Sequence, residues 1–403
     1  MNEARRSAAG TLQLLALTTS YPLRQGSAAG VFVRRLYENF PADWSVTVLC
    51  PDDAGQQDGL DGQVGVQPVR YAPKRWQTLS QNAGGILPML RADPRKLLLV
   101  PLLLGSLLLH CLRAARRADV IHANWSICGV LAVIAGKVCR RPVVTTLRGD
   151  DVAGAGRLSR LLLAIAVRGS AAIVCVSDAM AATLRQRYPQ HADRIHVCRN
   201  GVEEAFLQVV GSHPIAGKLR IVAVGSLVQR KGIDVLLRAM ALAVSRDHIS
   251  LRVVGEGPEL EALRAQAAEL GLAGQVEFAG GLPPDAVPGF LAQADVFVLA
   301  SRSEGRPNVV VEALAAGLPV ISTNLPGVEG LVVPGSNGWL VPIDDAASMA
   351  QALDDAHGDP ARRAALARNA RDGALARETW GETARRYDLL FRRMIHSING
   401  SQA

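Results

Sequence analysis

Two carboxylates, Glu304 and Glu312, bracket the segment Ser301-Arg302-Ser303-Glu304-Gly305-Arg306-Pro307-Asn308-Val309-Val310-Val311-Glu312. The segment follows the apolar run 296–299 and leads into an amphipathic stretch, so it reads as strand, loop and helix start. Pro307 suits the first helical turn, where its missing N–H costs nothing. The exposed amides of that turn form an anion site at the carboxyl end of the strand. Carboxylates repel phosphate but accept hydrogen bonds from sugar hydroxyls. A ligand with hydroxyls on both sides of a diphosphate, a nucleotide-sugar, matches this layout. Solvated charges on an ordinary helix are the alternative.

Such a loop needs a sheet edge to hold it. Short β-branched runs at 12–17, 45–49, 120–122, 143–146, 172–176 and 195–198 form one series of predicted strands. A second series lies at 219–225, 249–254, 276–279, 296–299 and 320–322. Amphipathic stretches such as 178–188, 233–244 and 259–270 fall between them. Strand–helix alternation predicts parallel sheets covered by helices, and two series predict two Rossmann-like domains with a cleft between them. A polar turn at Gly211-Ser212-His213-Pro214 sets the boundary, with domains over 1–211 and 212–378. The last segment, 379–403, reads as a helix crossing back to the first domain.

Further motifs extend the pattern. Val224-Gly225-Ser226-Leu227-Val228-Gln229-Arg230-Lys231-Gly232 is a glycine loop with a basic pair, and Arg199-Asn200-Gly201-Val202 is a turn. Gly317-Leu318-Pro319-Val320 follows the Glu312 helix, Tyr21-Pro22 precedes Gly30-Val31-Phe32-Val33, and Ile121-His122-Ala123 lies in a strand. In this order, with Glu304 and Glu312 as E-x7-E, they resemble glycosyltransferase family 4, retaining enzymes of the GT-B fold. The resemblance covers most of the chain. It implies an α/β protein in which two Rossmann-like domains face each other across a central cleft.

The resemblance also implies roles. Glu312 would hold the ribose hydroxyls, and Glu304 the hydroxyls of the transferred sugar. Lys231, with Arg230, would neutralise the diphosphate. Gly305 and the amides of Asn308, Val309 and Val310 would cradle the phosphate, Gly225 and Gly30 would admit it, and Gly281-Leu282 would receive the base. Two departures stand out. Relatives commonly carry Arg where this chain has Ser226, and they show T-x-H-G-x-D where it reads Thr146-Leu147-Arg148-Gly149-Asp150-Asp151. Arg148 cannot act as a base at neutral pH. It could stabilise charge on the leaving phosphate or bind an anionic acceptor. Asp151 keeps the family's carboxylate position, with a helix cap as its alternative. No D-x-D or H-E-x-x-H occurs, so a metal-free mechanism is expected, with Lys and Arg acting where other transferases use Mg²⁺.

Composition sets outer limits. Of 403 residues 49% are apolar and 20% charged, which excludes a disordered chain. Aromatic residues at 4% are too few for a single-stranded nucleic-acid reader. Residues 1–200 carry 25 Lys/Arg against 13 Asp/Glu, and residues 201–403 carry 19 against 23. The first half is therefore the one to meet an anionic surface. Arg91, Arg95, Lys96, Arg113, Arg116 and Arg117 bracket the apolar run 97–109, whose 13 residues fall short of a bilayer span. The run reads either as an interfacial segment or as a buried helix pair. The apolar run 12–17 leads into Tyr21-Pro22 and reads as a strand, not a signal peptide. Six cysteines without C-x-x-C spacing fit reduced, buried thiols.

The resulting expectation is a cytoplasmic hexosyltransferase, peripheral on the inner face of the membrane. It would use a UDP- or GDP-sugar and a lipid-linked or oligosaccharide acceptor in bacterial surface or exopolysaccharide synthesis. A nucleotide-sugar epimerase on the same fold, or a non-catalytic glycan-binding or scaffold subunit, is the alternative.

Overall fold

Residues 143–147 are buried without interruption, as a parallel strand covered by helices on both faces must be. The computed structural model describes residues 10–23, 30–52, 64–79, 90, 93–153, 156–209, 217–375 and 379–400. It divides into two units, Met1–Asn200 with Trp380–Ala403, and Gly201–Thr379.

The first unit holds β1 (Leu12–Leu17), β2 (Trp44–Pro51), β3 (Val64–Val69), β4 (Val120–Asn124), β5 (Val143–Leu147), β6 (Ala172–Cys175) and β7 (Ile195–Val197). They pair in parallel in the order β3-β2-β1-β4-β5-β6-β7. The second holds β8 (Leu219–Val224), β9 (Ile249–Val254), β10 (Val276–Gly280), β11 (Val296–Leu299), β12 (Val320–Thr323) and β13 (Gly338–Val341). These are also parallel, in the order β10-β9-β8-β11-β12-β13. Both units are Rossmann-like. Strand order reverses between β1 and β4 and between β8 and β11, and ligands enter such sheets at the carboxyl ends of the reversing strands.

Alternation along β1 builds two cores. Leu14 and Ala16 pack on one face of the sheet, Leu15 and Leu17 on the other. The helix Trp380–Gly400 covers the first face, burying Trp380, Ala384, Tyr387 and Phe391 as one stripe. Trp44 Nε1 donates to Asp388 Oδ1 of that helix at 2.6 Å.

Some expectations need correction. Strands β3 and β13 were not anticipated: both are edge strands, β3 interrupted by Gly65 and Pro68, β13 only four residues long. The division between units falls at Asn200/Gly201, ahead of the expected 211/212, because Val202, Phe206 and Val209 pack into the second unit's core. The turn 211–214 itself lies outside the described residues, as does Arg91.

The apolar run 97–109 belongs to a longer helical stretch, Pro94–Ala115, whose 22 residues are long and apolar enough to cross a membrane by length and composition. The sequence estimate was short because a 3-10 turn, Pro94–Leu98, and a last helical turn extend the run at both ends. Pro101 is tolerated because it lies in the first turn of Leu99–Ala115. The stripe Leu103, Leu107, Cys111 and Ala115 is fully buried in the sheet core. The other side leaves Leu97 and Leu98 60% and 80% exposed. One side of the helix is therefore core and the other an exposed apolar surface.

Candidate functional site

Because β8 and β11 are hydrogen-bonded neighbours, the loops that follow them emerge side by side. The β8 loop is pinned by Gly225 N donating to Val254 O at 2.9 Å and Leu227 N to Glu256 O at 2.8 Å. Arg230 and Lys231 occupy a 3-10 turn, Gln229–Lys231. Gly232 ends it with φ 65°, and a Cβ there would stand 2.0 Å from Ala300 O, so only glycine lets the two loops come this close. Arg302 locks them further: its N donates to Arg230 O at 2.8 Å, and its guanidinium bridges Asp234 and Asp344 at 2.8 and 2.7 Å.

Lys231 Nζ meets Glu304 Oε1 at 2.6 Å, and Ser301 Oγ donates to the same oxygen at 2.8 Å. Arg230 Nη1 lies 3.6 Å from Glu304 Oε2 and donates to Ser303 O at 2.9 Å. Thr323 Oγ1, at the end of β12, donates to Ser301 O at 2.6 Å and holds the loop from behind. Two cations and one carboxylate leave a single positive charge, with Glu304 nearly buried and Arg230 reaching solvent. Ser301 and Thr323 carried no signal in the sequence beyond their place beside the glutamate loop.

The helix Asn308–Ala315 begins behind this cluster. Pro307 takes its N-cap, one position before the first-turn site expected from sequence. Val310 N donates to Pro307 O at 3.1 Å, so that amide is committed and the expected cradle contracts toward Asn308 and Val309. Glu312 is partly exposed and makes no side-chain hydrogen bond among the described residues. Burial, and secondarily the Glu203 carboxylate, push its carboxyl up to about 7. Gly305 and Glu304 have their carbonyls against Gly327. After β10, Gly281 lies against the Glu256 carboxylate, which sequence reasoning did not single out, and Leu282 packs on the second unit's core.

Gly30, Arg148 and Asp151 belong to the first unit. Gly30 has φ 76°, and a Cβ there would stand 2.4 Å from Ser20 O. Asp151 accepts the backbone N–H groups of Ser126 and Arg148, both at 2.8 Å, and so clips the end of β5 to the start of helix Ser126–Cys139. Each oxygen of Asp151 thus accepts one backbone N–H. Arg148 donates to Asn124 Oδ1 at 3.0 Å and Asn200 Oδ1 at 3.3 Å. Behind it, Asn124 Nδ2 donates to Tyr37 OH, and His122 bridges Tyr37 OH and Thr146 Oγ1, both at 2.8 Å. Burial, and then the Arg148 charge, hold His122 down to about 3, so this histidine is neutral and no proton acceptor near pH 7. Trp125, just after β4, has φ 71° and ψ 155°, a conformation that costs a non-glycine residue about 1–3 kcal/mol.

Among the described residues, no group of three or more His, Cys, Asp or Glu gathers as a metal site. All six cysteines are free thiols.

Comparison with known proteins matches residues 29–206 to "Glycosyltransferase Family 4" and residues 211–373 to "Glycosyl transferases group 1". The chain is 35% identical over 179 residues to a GDP-mannose-dependent alpha-(1-6)-phosphatidylinositol monomannoside mannosyltransferase of Mycolicibacterium smegmatis, covering 42% of this chain and 46% of that one. It is 34% identical over 180 residues to the lipopolysaccharide core biosynthesis glycosyltransferase LpsE of Rhizobium meliloti, covering 44% and 50%. The match thus spans about half the length of these relatives. Among solved structures, Anabaena HepE in complex with UDP-glucose superposes with a TM-score of 0.72 at 20% identity, over 97% of this chain and 100% of that one, a likeness of fold.

Proposed function

Since the chain belongs to the family 4 glycosyltransferases, we propose that it is a retaining hexosyltransferase using a nucleoside-diphosphate sugar and a lipid-linked or glycan acceptor. The observation that carries this reading is the Lys231–Glu304–Arg230 cluster at the β8/β11 reversal, with Glu312 on the helix beyond. The diphosphate charge falls to Lys231 and Arg230, the sugar hydroxyls to Glu304, and the ribose hydroxyls to Glu312. In a retaining front-face transfer the C1–O bond to phosphate breaks as the acceptor oxygen bonds C1 on the same face. The acceptor proton passes to the leaving phosphate. No strong protein base is then required, in keeping with Arg148 standing where relatives carry His. The two relatives named above act on a glycolipid and a lipopolysaccharide core, which supports an envelope or polysaccharide acceptor. Thermal-shift and calorimetric binding with UDP, GDP and their hexose conjugates tests the donor assignment. Donor hydrolysis without acceptor distinguishes an enzyme from a binding subunit.

With the phosphate charge assigned to side chains, catalysis should need no divalent cation. EDTA is expected to leave turnover within about twofold, since no step is assigned to a metal. Loss of activity in EDTA with recovery on Mg²⁺ would overturn this.

The membrane surface has a structural candidate. Helix Leu99–Ala115 packs beside Ser126–Cys139, which packs beside Arg157–Gly169. The row exposes Leu97, Leu98, Leu102, Leu109, Ile134, Val138, Leu158 and Leu161. None of the three helices contains an acidic residue, and Arg113, Lys137, Arg157 and Arg160 are exposed on them. Apolar side chains flanked by basic ones suit an anionic bilayer, each charge adding about 1 kcal/mol that salt screens. The protein should pellet with phosphatidylglycerol vesicles, release at high salt, and ignore neutral vesicles. Serine at Arg95, Lys96, Arg113, Arg116 and Arg117 should abolish pelleting, and a wild type that never pellets argues for a soluble acceptor.

A further inference from the structure

Four residues following strands of the first unit gather at the point where its strand order reverses. Phe32 is in the helix after β1, Trp125 follows β4, Arg148 follows β5 and Asn200 follows β7. The Arg148 guanidinium carbon sits 4.0 Å from the Phe32 ring centroid and 5.8 Å from that of Trp125. The two rings meet edge to face at 6.0 Å. Arg148 is only 8% exposed, and its buried Nε–H has no acceptor among the described residues.

The choice of partners is informative. A buried guanidinium is ordinarily held by a carboxylate, whose charge cancels its own. Here both terminal nitrogens are held by neutral amide oxygens, those of Asn124 and Asn200. The nearby carboxylate, Asp151, offsets part of that charge through space but gives the guanidinium no hydrogen bond, its oxygens accepting backbone N–H groups instead. Tyr37 and Tyr387 are pushed up by burial and His122 is neutral, so none of these groups contributes a compensating charge near pH 7. Arg148 is fixed in direction, remains charged and keeps its Nε–H unspent.

We propose that this cluster is an anion subsite, and that the acceptor carries a carboxylate or phosphate group that docks on Arg148. The proposal rests on the glycosyltransferase reading and deepens it. The anion accepts from Nε–H and completes the coordination left open by the amides. Phe32 and Trp125, both partly exposed, cover the guanidinium, so the incoming group displaces the Phe32 ring to reach Nε. The strained backbone of Trp125, held by its N–H to Thr146 O at 2.9 Å, keeps the indole beside that entry.

The test uses the full chain, saturated with nucleoside diphosphate so that the second unit's phosphate site is filled. Methyl glucuronide, glucose 1-phosphate and methyl glucoside are compared at equal ionic strength by ligand-observed NMR. A charge-assisted hydrogen bond predicts that at least one anionic probe binds roughly 10- to 100-fold tighter than the neutral glucoside. Whichever anionic probe wins distinguishes a uronate from a phosphate acceptor. In the wild type that probe should also slow amide exchange around 124–126 and 148–151, a readout that needs no variant. Arg148→Gln should erase the preference, and Arg148→Lys should retain part of it. Equal binding of all three probes, or exchange protection confined to the second unit, overturns the proposal. So does an Arg148→Gln variant that keeps the preference or loses nucleotide binding instead, which would assign Arg148 to the leaving phosphate. If nucleotide never binds, it is the glycosyltransferase reading that fails.

Discussion

Lys231→Ala is expected to lower kcat/KM at least ~10²-fold, the scale of losing one preorganised charge at a developing anion. Lys231 is the less exposed of the two cations, at 16% against 39% for Arg230, and its ammonium lies 2.6 Å from Glu304. In water this pair would contribute little. In a nearly buried loop the ammonium neutralises Glu304, and in the proposed site it also faces the diphosphate, so its removal would leave a carboxylate beside phosphate with only Arg230 at 3.6 Å to offset it. The variant should therefore bind free nucleoside diphosphate more weakly and also melt at lower temperature. Lys231→Ala combined with Glu304→Ala should recover stability but not activity, since the stranded carboxylate is gone while the phosphate charge stays unmet. Steady-state kinetics with thermal melts on the three variants checks this. A folded Lys231→Ala enzyme with unchanged kcat/KM would falsify the assignment.

The Glu312→Gln variant should show a trade-off. Loss of two charge-assisted hydrogen bonds to ribose should weaken nucleoside diphosphate binding by about 2–4 kcal/mol. Ligand-free stability should change in the other direction. Burial and Glu203 raise the folded-state carboxyl from 4.5 to about 7, so between those values the folded protein binds a proton that the unfolded chain does not. Stability thus falls as pH rises through that window, by at most about 3 kcal/mol at alkaline pH. Glutamine carries no charge to desolvate, so the variant should melt higher than wild type at pH 8 and about equally at pH 5. Wild-type nucleotide affinity should rise from pH 6 to pH 8, because ribose needs the ionised carboxylate, and Glu312→Gln should flatten that rise. Calorimetry across this range, with melts at both ends, checks both halves. A pH-independent affinity in the wild type would remove Glu312 from the ribose site.

Fold class was legible in the sequence because its signals are local. The run Leu12–Leu17 is strand by composition and alternation, and each neighbouring Leu or Ala then has to face one of two cores. The order of loops was legible for the same reason: Glu304 and Glu312 sit on one strand–loop–helix segment, and Arg230 and Lys231 on another. Edge strand β3 escaped because its alternate residues reach solvent and Gly65 and Pro68 break its apolar run, and β13, apolar and largely buried, because four residues are too few to mark a strand.

What only the tertiary structure decided is where those segments meet. Lys231 and Glu304 are 73 residues apart, and they pair because β8 and β11 are neighbours at the reversal of strand order. Glu312 is unusual because Glu203 and the second unit's core surround it, which no local window contains. Arg148 is read from sequence as a departure from a motif. That its charge is held by two neutral amides under two aromatic rings depends on residues from four separate stretches of the chain. Helix Leu99–Ala115 has leucine on nearly every face, so its periodicity could not say which side is core; contact with Leu15, Leu17 and Leu49 could. Chemistry at a sheet edge is assembled from the ends of non-consecutive strands, and strand order is set by the packing of the whole sheet.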